Sequence, residues 1–236
     1  YAAGATAVFS GSYNVVVGRA AGGGMEGGIN NTLLGAGAGG SMTTGNNNIA
    51  IGFNAADGMI GAAHSNIAIG ANALGATTGA CSNNIAIGQT ALATQNDAAA
   101  INLAIGRDAG NAIEDGTFNV LIGHEAGMTV TDVDDNTAVG YQAWRLGTGA
   151  NNTIFGSKAG LAVAGGSGNV VVGAAAFLSA DNDEDDNTAI GYGALYSLNN
   201  DASDGNVAVG KFAGRYYNDG GSNTALAQAA NCVLVG

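Results

Sequence analysis

The chain has 236 residues, 42 of them glycine and none proline, with eighteen acidic side chains against six basic ones and a formal charge of −12. Collagen needs proline with glycine at every third position, and disorder needs many charges and few apolar residues; neither composition is met. Glycine at this density would cost a helix roughly 1 kcal/mol per occurrence, no apolar run reaches the ~18 residues of a membrane helix, and so acidic a chain is a poor partner for nucleic acid.

A five-residue pattern recurs along the chain: Asn, three apolar or Thr residues, then Gly. In order it reads NVVVG (14–18), NTLLG (31–35), NIAIG (48–52, 66–70 and 84–88), NLAIG (102–106) and NVLIG (119–123). It continues as NTAVG (136–140), NTIFG (152–156), NVVVG (169–173), NTAIG (187–191) and NVAVG (206–210). The closing glycines fall 16 to 19 residues apart, an alanine follows each by three positions from Ala21 to Ala213, and a degenerate unit NTALA stands at 223–227. Each period holds one short β-rich run bounded by Asn and Gly, then a turn-rich stretch. Self-similarity of this kind marks stacked repeats. The expected fold is all-β: a parallel β-solenoid, or β-roll, of about 13 coils occupying 1–236 as a single repetitive domain. The Asn column is expected to form an amide ladder, and the Gly column a corner that side chains would obstruct.

Side chains alternate faces along a strand. The third residue of the pattern is always large, as in Val17, Ile87 and Val209, which points the first and third positions toward the coil interior. The middle residue, as in Val16, Leu33, Ala50 and Ala208, is never polar. A strand apolar on both faces is buried on both, so the middle column is expected to meet other copies of the chain. The middle residue also trades volume with the residue four after the glycine. Val16, Leu33, Leu121 and Ile154 accompany Gly22, Gly39, Gly127 and Gly160, whereas Ala68, Ala86, Ala138 and Ala189 accompany Leu74, Leu92, Trp144 and Leu195. Compensation at fixed volume implies contact, here expected within the inter-chain layer. Val171 with Phe177 departs from the rule, and three units with Ala in the middle carry only Ala56, Gly110 or Gly214.

Segments NTAVGYQAWRLGTGANNTIFGSKAG (136–160) and NTAIGYGALYSLNNDASDGNVAVGKFAG (187–214) resemble the repeats of bacteriophage tail-fibre proteins. They are similar, more distantly, to the head repeats of trimeric autotransporter adhesins, whose unit is shorter and more uniform. The resemblance covers essentially the whole chain. It implies a parallel homotrimer in a virion tail fibre, with a structural role supporting host-cell attachment. The partners it implies are further copies of the chain, other fibre or tail proteins and a host-surface glycan; composition separately argues against nucleic acid and membrane insertion. The alternatives are a bacterial surface adhesin head and a head-to-tail extracellular filament subunit.

Site chemistry is sparse. The run DNDEDD (181–186) offers Asp181, Asp183 and Asp185 as oxygen ligands for a hard cation. It lacks the glycine and distal glutamate of an EF-hand, and a solvated acidic loop is the competing reading. Tyr192, Tyr196, Tyr216 and Tyr217 are candidate platforms for receptor sugars, or else plugs between protomers. No nucleophile elbow, phosphate loop or paired-cysteine motif is present. His64 and His124 share no metal-like spacing, and no cofactor or enzymatic activity is expected. Cys81 and Cys232 are too few for a disulfide-stapled scaffold and leave a single bridge open. The opening YAAG repeats the phase of RAAG (19–22) and the chain finishes on CVLVG. Both ends therefore read as uncapped, as in a window from a longer fibre or a unit that stacks end to end.

Overall fold

A computed structural model describes residues 11–96, 101–180, 184–198, 204–217 and 233–235. The chain divides into two compact units, Tyr1–Asn119 and Val120–Gly236. Each is a parallel β-solenoid, with no helix among the described residues. In the first, β1 (Val15–Val17), β2 (Thr32–Leu34), β3 (Ile49–Ile51), β4 (Ile67–Ile69), β5 (Ile85–Ile87) and β6 (Leu103–Ile105) are the central triplets of the repeat. They pair in parallel, in chain order and without slippage: Val16 lies beside Leu33, Leu33 beside Ala50, and Ala86 beside Ala104.

The second unit holds β7 (Val120–Ile122), β8 (Thr137–Val139), β9 (Thr153–Phe155), β10 (Ala162–Val163), β11 (Val170–Val172) and β12 (Ser179–Ala180). It continues with β13 (Thr188–Ile190), β14 (Ser197–Leu198), β15 (Val207–Val209), β16 (Tyr216–Tyr217) and β17 (Val233–Val235). Strands β7, β8, β9, β11, β13, β15 and β17 form one parallel ladder, and the two-residue strands β10, β12, β14 and β16 form a second. The neighbour of β15 is thus the CVLVG segment, with Val207 beside Val233; the NTALA unit lies outside the described residues.

The asparagines set the register. Asn48 donates from its backbone N–H (2.9 Å) and its Nδ2 (3.1 Å) to Asn31 Oδ1, and its Nδ2 also reaches the Ala63 carbonyl at 2.8 Å. Asn66 repeats this against Asn48 and Cys81. The amides are buried, so a slip of one residue would strand several donors at once. At the other end of the strand, Gly35 has φ +143°, and a Cβ there would fall on the Gly52 carbonyl of the next coil. Beyond the glycine the chain turns through left-handed residues, such as Asn72 (φ 56°) and Leu74 (φ 49°). That conformation costs an ordinary residue ~1–2 kcal/mol. It persists because the amides of these residues pair coil to coil: Asn72 N–H donates to the Phe53 carbonyl at 2.9 Å and Leu74 N–H to the Ala91 carbonyl at 3.1 Å.

The core reverses the expected facing of the strands. The middle residues Leu33, Ala50, Ala68, Ala86, Leu121 and Ile154 are fully buried inside the coil, while the first and third residues point outward. The volume trade is a real contact, within the coil rather than between chains. A Cβ on Gly39 would meet Leu33 at 2.9 Å, and one on Gly127 would meet Leu121 at 2.8 Å. A second core column, seven residues after the glycine, carries buried Met25, Met42, Met59, Ile113, Val130 and Val163. Where Trp144 fills that space, the residue seven after the glycine shrinks to Gly147, whose Cβ would collide with the indole. A third column, three residues before the Asn, holds Gly28, Gly45, Ala63, Cys81 and Gly166. Burial pushes the Cys81 thiol up to about 12, which leaves it with no thiolate character at neutral pH.

Candidate functional site

With the middle residues turned inward, the outward face of each unit carries two columns, the third strand residues all large and apolar and the first strand residues apolar or threonine. Each of these strands has only three residues, so the face is a narrow band. In the first unit it runs through Val15 (55% exposed) and Leu34 (45%) to Leu103 and Ile105. In the second it includes Phe155 (41%), Val172 (37%) and Val209 (38%). Threonine appears only in the first outward position, at Thr32, Thr137, Thr153 and Thr188. Two corners flank the band. The leading corner is the residue before the Asn, left-handed in Asn47 (φ 59°), Asp135 (φ 60°) and Asp186 (φ 58°). The trailing corner is the residue after the Gly, exposed in Phe53, Arg107, Tyr141, Tyr192 and Lys211.

The expected cation ligands are only partly placed. Asp181 and Asp183 lie outside the described residues. Asp185 Oδ1 accepts the Ser167 backbone N–H at 2.7 Å, and the Asp185 N–H donates to Asp204 Oδ1 at 2.9 Å. These carboxylates stitch coils together, as do His64 Nδ1 with the Asn46 N–H (3.0 Å) and Ser82 Oγ with the His64 N–H (3.1 Å). Glu184, expected in a solvated loop, is fully buried in the column otherwise held by glycine, alanine and cysteine.

The tyrosines separate. Tyr192 is 52% exposed and meets the Phe212 ring edge-on at 5.1 Å. Lys211 Nζ stands 6.0 Å from the Tyr192 ring and 5.4 Å from that of Phe212. Arg215 covers Phe212 at 4.2 Å and Tyr196 at 5.5 Å. Tyr216 and Tyr217 form β16, in register with Ser197 and Leu198 of the preceding coil. A cluster missed from the sequence joins Glu125 to Gln142 Nε2 and Arg145 Nε, both at 2.7 Å. The Gln142 amide, followed by Arg145, holds the Glu125 carboxyl below its usual range, against a smaller opposing effect of desolvation. Its signal was available: Glu125 and Gln142 share the second position after the glycine in consecutive repeats.

No helix among the described residues is long and apolar enough to cross a membrane. No protein-family model, characterised protein or solved structure matches the chain.

Proposed function

We propose that the chain is a structural fibre protein, a segment of a phage tail fibre that supports host-cell attachment as a parallel homotrimer. The observation that carries this reading is the outward band of each unit: a column of Val, Ile, Leu and Phe beside one of Val, Ile, Leu and Thr, which a lone chain leaves in contact with water. A contiguous apolar strip on a soluble rod is the mark of a partner surface, and a solenoid presents it at every coil, as a fibre requires. The phage assignment draws on the likeness of 136–160 and 187–214 to tail-fibre repeats. The role so proposed is one of shape and adhesion. The reading is tested by placing a charge in the band: Ile69→Asp is expected to abolish self-association while the monomeric coil keeps its far-UV signature. Purified wild-type chain is expected to bind bacterial cells of a susceptible strain and compete with phage adsorption. Unchanged assembly of Ile69→Asp would remove the central support.

A further inference from the structure

Two coils of the second unit carry almost the same sequence, DDNTAVGY (134–141) and DDNTAIGY (185–192). In each, an exposed aspartate occupies the leading corner (Asp135, Asp186) and an exposed tyrosine the trailing corner (Tyr141, Tyr192). In each, the next coil of the ladder places a lysine beside that tyrosine: Lys158, the second residue after the glycine that follows β9, and Lys211, the first after the glycine that follows β15. The lysines differ by one position in the repeat, yet both Nζ atoms stand 6.0 Å from their ring centroids. That is the outer limit of a cation–π contact, so the ring steers the lysine while its charge stays at the exposed corner. Two coils thus carry an acid on the leading corner and a tyrosine with a lysine against its ring on the trailing side, with opposite charges flanking one apolar band.

We propose that these two coils are latches between copies of this chain, in which Asp135 and Asp186 of one copy pair with Lys158 and Lys211 of the next. The proposal rests on the fibre reading above and adds polarity and register to it. When copies share one direction about a common axis, the leading corner of each faces the trailing corner of its neighbour. Acid then meets lysine at both latches. Reversing one copy brings like corners together and sets carboxylate against carboxylate, which is the repulsive term that excludes the wrong arrangement. The apolar band supplies attraction without direction; the latches supply direction.

The test is a charge swap on the full chain, read by sedimentation equilibrium with far-UV circular dichroism as the check on folding. Lys158→Glu with Lys211→Glu places acid on both corners, and self-association is expected to weaken at least ~tenfold. Asp135→Lys with Asp186→Lys is expected to do the same, and all four substitutions together to restore assembly to within about threefold of wild type. A four-fold variant no tighter than either pair would overturn the latch while leaving the fibre reading standing; a monomeric wild type would overturn the fibre reading itself. A variant with Asp186→Cys and Tyr192→Cys reads the same point without charge reversal. The two positions lie at opposite ends of one strand, too far apart for a bridge within a chain. Oxidation is expected to link position 186 of one copy to 192 of another, whereas links between two 186 positions would contradict a parallel arrangement.

Discussion

Asn66 shows how much one side chain does in this fold. Its Oδ1 accepts the Asn84 N–H at 3.0 Å, and its Nδ2 satisfies both Asn48 Oδ1 and the Cys81 carbonyl. Asn66→Ala would leave the buried Asn84 N–H and Cys81 carbonyl without these partners, at ~1–3 kcal/mol for each group. Urea unfolding is expected to show a loss of roughly 3 kcal/mol; a loss under about 1 kcal/mol would mean that water replaces the ladder. The same residue explains an error of facing. Asn and the middle strand residue lie two positions apart and therefore share a face. Once the asparagines are recognised as a buried ladder, Ala68 must point inward with Asn66, and Ile67 and Ile69 outward. Size misled, because the large Ile69 looks like core and Ala68 does not. The cue that outweighs size is threonine, admitted at Thr137 and Thr188 on the outward face and never at the middle position.

At the scale of the element, each coil has a fixed interior volume shared by a few columns. Leu121 with Gly127 and Ala86 with Leu92 are two ways of filling it, and both Gly127 (φ 56°) and Leu92 (φ 46°) adopt the left-handed turn. Gly127→Leu alone is expected to destabilise by ~1–3 kcal/mol through overpacking, and Leu121→Ala alone by ~2–5 kcal/mol through the cavity. The double variant is expected to recover most of both losses in a thermal or urea melt. Simple additivity of the two would show that the columns do not touch. The trade between these columns was legible in the sequence, because a contact repeated at every period leaves a correlated pattern. The Met25–Met42–Met59 column was harder to see, since elsewhere it passes through Thr77, Gln95 and Gly147.

The turns also carry electrostatics. The Glu125 carboxyl is held below its normal range by Gln142 and Arg145. Its contribution to stability is therefore fully present above the ordinary glutamate range, and it is lost as pH falls through the lowered folded value. Melting temperature measured from neutral to acidic pH is expected to fall less steeply for Glu125→Gln than for wild type. Parallel curves would remove this cluster from the account. Sequence periodicity could align Glu125 with Gln142, but not Arg145, which reaches back from three residues further along its own turn.

At the scale of the whole molecule, the composition now has physical causes. Glycine is abundant because corners such as Gly35 admit no Cβ and because positions such as Gly127 and Gly147 yield room to a large neighbour. Charge is scarce because the strand residues face either the coil interior or the apolar outward band. The pattern of a single chain records that this face is apolar, whereas what it touches leaves no separate mark in the repeat. The most direct measurement is the mass of the full chain in solution, by sedimentation equilibrium or native mass spectrometry at micromolar concentration. The account predicts a particle of three 22.8-kDa chains; a stable, soluble 22.8-kDa monomer would contradict it.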